Sequence, residues 1–147
     1  MKLVICSSAA FYKHVCEIAD KLEALGVEVV IPKTAHIMRS SGDFNVENYK
    51  TWYKNNQDFH KKKALMDGHF EEVASGDAIL VVNDEKHGVP GYIGPNVLME
   101  IAIAYYLKKP IFLLEDIDPK SPVYEEILGM EAVRLGGYIN KLATNLN

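Results

Sequence analysis

Cysteine is scarce in this sequence: Cys6 and Cys16 are the only two among 147 residues. That excludes a disulfide framework and every CxxC metal or redox motif. Cys6 falls at the end of an expected buried strand and Cys16 inside an expected helix, so both read as inert core thiols. Long apolar runs are missing as well. No stretch approaches the roughly 18 apolar residues of a membrane span, and the apolar start at 3–6 is too short for a signal peptide. The expected location is cytoplasmic, with no membrane partner. Excess positive charge is also absent. Sixteen basic against twenty acidic residues leave a net charge of −4, which argues against broad electrostatic binding of nucleic acid. The histidines His14, His36, His60, His69 and His87 show no H-E-x-x-H or other ligand spacing, so no metal is expected. A small molecule is the favoured partner.

What is present suits one globular domain over 1–147: 48% hydrophobic and 24% charged residues, with no repeat or linker. A chain of this size buries roughly 70% of its unfolded surface, enough for a core without staples. Apolar runs at 3–6, 27–31, 77–83 and 110–115 predict strands, and 131–135 a fifth. Apolar positions at three and four spacing predict a helix over 11–25, which Gly26 stops. Further helices are expected over 46–73 (in two pieces around Gly68), 95–108, 121–128 and 138–146. The segment 33–60 reads as a helical and aromatic insertion. Strands alternating with helices describe an α/β fold with a single doubly wound, mostly parallel five-stranded sheet, flavodoxin- or Rossmann-like, with helices on both faces. Ligands bind such sheets beyond the carboxyl ends of the strands. That rule brings together Ser7-Ser8, Asn83-Asp84 and the loop that opens the helix at Pro95.

Glu100 is the only charge between Val97 and Leu107. A lone carboxylate in an apolar helix costs several kcal/mol unless it is paired or exposed at an end. It reads either as a solvent-facing or ion-paired glutamate, or as a carboxylate held in a pocket as nucleophile or base. The loop before it, 88–96, holds three glycines and two prolines, matching neither G-x-G-x-x-G nor a Walker A loop. Ser7-Ser8 reads equally as a phosphate contact at a helix N-terminus or as a plain cap. His87 and the run Lys61-Lys62-Lys63 read as solvated, with ligand contact as the lesser alternative. Tyr49, Trp52 and Tyr53 favour core or subunit packing over stacking on a base.

Asn83-Asp84, the glycine loop, Glu100-Ile101-Ala102-Ile103-Ala104 and Lys109-Pro110-Ile111-Phe112 together resemble the nucleoside 2-deoxyribosyltransferases and their relatives, which include hydrolases of deoxynucleoside monophosphates. The resemblance covers about 77–115 well and the first strand and helix more loosely. Ala102 stands where that family usually has glycine, and Asn83 where aspartate is common. The resemblance implies a glutamate nucleophile at Glu100 that cleaves or transfers at the N-glycosidic bond of a nucleoside or nucleotide. Beside that nucleophile, the convergence at the strand ends makes Ser7, Ser8, Asn83, Asp84, Tyr92, Gly94 and Asn96 the candidate substrate contacts, with Tyr92 or Asp84 as candidates to orient Glu100 or the sugar hydroxyls. No cofactor is implied. The alternative is a non-catalytic nucleotide-binding module using the same pocket; a flavodoxin-like redox protein is a third. Phe44, Tyr49, Trp52, Tyr53 and Phe59, set among polar residues, predict a homo-oligomer through the insertion.

Overall fold

The apolar runs become five short strands: β1 (Lys2–Ser7), β2 (Glu28–Val30), β3 (Ala78–Val82), β4 (Ile111–Leu113) and β5 (Val133–Arg134). These come from a computed structural model that describes residues 1–146. The six helices are α1 (Tyr12–Ala24), α2 (Lys33–Ser41), α3 (Phe59–Ser75), α4 (Pro95–Tyr106), α5 (Tyr124–Gly129) and α6 (Asn140–Leu146). The strands form one sheet in the order β2-β1-β3-β4-β5. Every pairing is parallel, with Leu3 opposite Ala78 and Ile79 opposite Ile111. This is the doubly wound, Rossmann- or flavodoxin-like α/β fold that the strand and helix rhythm predicts.

Side chains alternate across each strand, so each run feeds two cores. Leu3, Ile5, Leu80, Val82 and Phe112 pack with Val15, Ile18, Ala19 and Leu22 of α1 on one face. Val4, Cys6, Ile79, Val81 and Leu113 pack with Val73 of α3 and with Val97, Ile101 and Ala104 of α4 on the other. Strand parity therefore points Cys6 toward α3 and α4, which decides its neighbours below. No helix among the described residues is long and apolar enough to cross a membrane.

The expected helix over 46–73 is corrected. Its first half is not helical, and the opening of the insertion is: α2 spans Lys33–Ser41 and ends where Gly42 turns left-handed at φ 74°. Two 3-10 turns follow, at Val46–Asn48 and Asn56–Asp58. In each turn the preceding asparagine, Asn45 or Asn55, accepts a hydrogen bond from the backbone N–H two residues on. Such local bonds offer the chain an alternative to helix. From Phe59 the helix runs unbroken through Gly68 to Ser75. Of the five aromatics expected to be exposed in the insertion, Tyr53 and Phe59 are; this is corrected for Trp52, buried at 4% exposure, and for Phe44 and Tyr49, which are partly buried.

The glycine loop is seated against the segment after β4. Gly91 has φ +64°, and a Cβ placed there would lie 2.1 Å from the Asp116 carbonyl oxygen. Gly88 has φ +73° but open space around it. A side chain at Gly88 therefore costs only the left-handed backbone term, about 1–2 kcal/mol, whereas Gly91 adds a clash with backbone. Thermal unfolding should show a Tm drop for Gly91→Ala roughly twice that for Gly88→Ala; equal drops would mean that the loop is not seated as described.

Candidate active site

The strand order reverses between β1 and β3, since β2 lies on one side of β1 and β3 on the other. The crevice beyond the carboxyl ends of these two strands is where α4 begins. Pro95 occupies the first turn of α4, where a missing N–H costs nothing. Asn96 and Glu100, one turn apart, share the face that looks into a cavity. Across it, α3 presents Lys62, Leu65, Met66 and His69 to the same cavity, the three, four and seven spacing of one helix face.

Glu100 is the centre of this arrangement, only 2% exposed. Its Oε1 accepts a hydrogen bond from Asn96 Nδ2 at 3.0 Å, and Asn96 Oδ1 in turn accepts from Lys62 Nζ at 3.1 Å. His69 Nε2 lies 3.8 Å from Glu100 Oε1. On its other side His69 Nδ1 meets Glu72 Oε2 at 2.7 Å. The Cys6 thiol, at the end of β1, completes the cluster; its sulfur and one donor atom each of His69 and Glu100 all lie within 4.8 Å of one another. Two buried side-chain atoms have no hydrogen-bond partner among the described residues, His69 Nε2 and Glu100 Oε2.

Burial pushes the Glu100 carboxyl above its ordinary range, and the positive charges of His69 and Lys62 pull it back. Burial works against a charged His69, but the hydrogen bond to Glu72 and the negative charges of Glu100 and Glu72 outweigh it, so the imidazole titrates above its usual value. Burial, and then the negative charge of Glu100, hold the Cys6 thiol well above its usual value and keep it protonated. The Tyr12 hydroxyl, also lining the cavity, is raised by burial and by Glu100.

The cavity opens onto an outer groove; Ala9, Tyr12, Lys50, Lys62, Met66 and Asn96 line both. Ser7, Ser8, Tyr92, Gly94 and Asn96 all line the groove, and of these five sequence-predicted residues Asn96 also lines the cavity beside Glu100. The Ser7 hydroxyl is already committed, donating to the Val82 carbonyl at 2.7 Å. Ser8 caps a 3-10 turn by position but makes no side-chain cap bond; instead Lys86 Nζ donates to its hydroxyl at 3.2 Å. Tyr92 lies under the Lys86 ammonium, 5.2 Å from its ring centroid.

Two predicted residues sit elsewhere. Asn83 is fully buried, donating to the Glu115 carbonyl at 3.0 Å and accepting from the Glu115 N–H at 2.9 Å. It ties the end of β3 to the segment after β4. Asp84 is paired with His14 Nδ1 at 2.7 Å and lines a separate depression with Gly91 and Asp116. Asn96, His69 and the Cys6 thiol, rather than Tyr92 or Asp84, are the polar side chains beside the carboxylate.

His69, Lys50, Lys62, Lys86 and the placement of Cys6 escape the sequence reading. Lys62 sits inside a run that looks like a solvated face, yet only Lys61 and Lys63 are exposed while Lys62 is partly buried. The helical spacing of Lys62, Leu65, Met66, His69 and Val73 was the available signal.

No protein-family model and no curated protein matches the chain. What the site does is therefore argued from its own geometry.

Proposed function

We propose that the protein is an enzyme that cleaves or transfers at the N-glycosidic bond of a nucleotide, with Glu100 as nucleophile, in the manner of the nucleoside 2-deoxyribosyltransferases it resembles. One observation carries this reading: a carboxylate 2% exposed at the floor of a cavity, with Oε2 unpartnered. A carboxylate serving only the fold would have its lone pairs satisfied. In the proposed reaction Glu100 attacks the anomeric carbon, the bond to the base nitrogen breaks, and its electron pair leaves with the base, which takes a proton from solvent. Water, or a second base, then attacks the same carbon and frees the carboxylate. Asn96 and His69 hold the carboxylate in place, and the charges of His69 and Lys62 favour its ionised form.

The outer groove favours a nucleotide over a nucleoside. Lys50, Lys62 and Lys86 all line it, each partly buried. Among the described residues none of the three is in an ion pair with a carboxylate. Burial, with the charges of Lys62 and Lys86, lowers the pKa of Lys50, so the Lys50 ammonium is repelled by both of the others across the groove. The N-terminus of α4 opens on the same space through Gly94, Pro95, Asn96 and Val97. A 5′-phosphate relieves that repulsion and gains from the helix dipole.

A non-catalytic nucleotide-binding module uses the same groove and is separated by turnover. Incubation with nucleoside 5′-monophosphates, followed by chromatography, should release free base. Glu100→Gln should lose turnover by orders of magnitude while keeping its unfolding temperature near wild type. Tight binding without free base would favour the module, and full activity in Glu100→Gln would end the nucleophile assignment.

For affinity, a charge-assisted hydrogen bond contributes about 1.5–3 kcal/mol, so titration should find the monophosphate binding roughly ten- to a hundredfold more tightly than its nucleoside. Lys86→Ala should erase much of that difference. Equal binding of the two ligands to wild type would remove the phosphate from the proposal.

Self-association belongs to the same reading. Tyr53 is 78% and Phe59 49% exposed, and Tyr53 stands at the rim of the groove, where a second subunit would close over it. Light scattering should give a mass above the 16.5 kDa monomer, and Tyr53→Ser with Phe59→Ser should shift it toward monomer. A wild-type monomer at micromolar concentration would contradict this.

A further inference from the structure

We infer that Cys6, His69 and Glu100 form a binding site for a thiophilic divalent cation of the zinc type. Thiolate, imidazole and carboxylate are the three ligand types that zinc takes, and three protein ligands with an open fourth position are the usual form of a solvent-accessible zinc site. The three residues come from β1, α3 and α4, and all are buried. Around a tetrahedral ion with bonds of about 2.0–2.3 Å, ligand atoms stand roughly 3.3–3.7 Å apart. His69 Nε2 and Glu100 Oε1 are 3.8 Å apart, and one ligand atom from each of the three residues lies within 4.8 Å of the other two.

Three independent features prepare these atoms for a cation. The buried atoms without a partner are His69 Nε2 and Glu100 Oε2, an imidazole nitrogen on α3 and a carboxylate oxygen on α4. On the far side of the ring Glu72 Oε2 lies 2.7 Å from His69 Nδ1, the outer carboxylate that fixes a ligating histidine with Nε2 free to bind. The adjoining cavity, about 70 Å³, has room for the water that completes the coordination. Calcium and magnesium fit poorly, since each demands six or more ligands, mostly oxygen. Binding releases the Cys6 thiol proton to solvent as the sulfur–metal bond forms, and His69 binds in its neutral form.

The cation takes the lone pair that Glu100 would use on a sugar. Where Glu100 is the nucleophile, the metal is an inhibitor that locks the site; this consequence rests on the proposed function, whereas the binding site does not.

Cobalt(II) serves as the spectroscopic probe. Titrated into the metal-free full chain, it should bind at one equivalent with a thiolate-to-metal charge-transfer band and the intense visible bands of a tetrahedral site, and zinc should bleach both. Cys6→Ser should abolish the charge-transfer band. Glu72→Gln, altered at a partly exposed residue outside the core, should weaken zinc binding by about 10–100-fold, and its circular dichroism should match wild type. A wild-type protein without the charge-transfer band, or an unchanged band in Cys6→Ser, would overturn the site. Base release by metal-free wild type is measured apart. Cobalt binding without turnover would leave the metal site standing and remove the nucleophile, while turnover without cobalt binding would do the reverse.

Discussion

The arrangement depends on one costly placement, a carboxylate inside an apolar helix face. Removing Glu100 from water is offset by one polar neighbour on its own helix and by partners from elsewhere, because Val97, Leu98, Ile101 and Ala104 offer none. Asn96 supplies a hydrogen bond one turn back, and α3 supplies His69 and, through Asn96, Lys62. His69 in turn needs Glu72 to hold its ring. The packing of α3 on α4 is therefore also a charge arrangement: two carboxylates flank one imidazole, with an ammonium at the outer side. Loss of the imidazole would leave Glu100 with only Asn96 and the Cys6 thiol as polar neighbours, so this contact is central to how the fold holds the carboxylate.

Strand parity explains why the third member is a thiol. The side chain of Cys6 faces α3 and α4 with Val4, while Leu3 and Ile5 face α1. The chain then leaves the sheet through Ser7, whose hydroxyl is held by the end of β3. A small residue at position 6 leaves room for His69 and Glu100 beneath it. The parallel register between β1 and β3 brings all of this to the carboxyl edge, where α4 presents its N-terminus.

Much of this was legible in the sequence, and the rest was hidden for identifiable reasons. The strand runs stand out because a parallel sheet buried on both faces needs unbroken apolar stretches. Glu100 stands out because it is the only charge in its helix. Asn83 was noticed for its position, but the sequence does not reveal that both ends of its amide are spent on the Glu115 backbone. The insertion was misread because its asparagines form local turns, at Asn45 and Asn55, where a polar helix was expected. Cys6, His69 and the lysines at 50, 62 and 86 were invisible as a group. They come from separate segments, and only the closure of the sheet and the packing of α3 on α4 bring them together. Linear spacing, the signal for metal and triad motifs, is silent about such sites.

The cavity and groove differ in charge along their length, and that gradient bears on what enters. Lysines stand at the outer wall, none of them in an ion pair among the described residues, and a carboxylate stands at the floor. A ligand with an anionic end and an electron-poor carbon some distance from it would be oriented by this field before any close contact forms. A phosphate cannot settle at the floor beside Glu100 without like-charge repulsion. A bare divalent cation meets the opposite profile, repelled at the rim and held at the floor by thiolate and carboxylate. A bound phosphate at the rim would neutralise the lysines and ease the cation's entry. On this electrostatic argument, an anion bound in the groove and a cation bound at the Cys6, His69 and Glu100 cluster would favour each other, and linkage would make that coupling reciprocal.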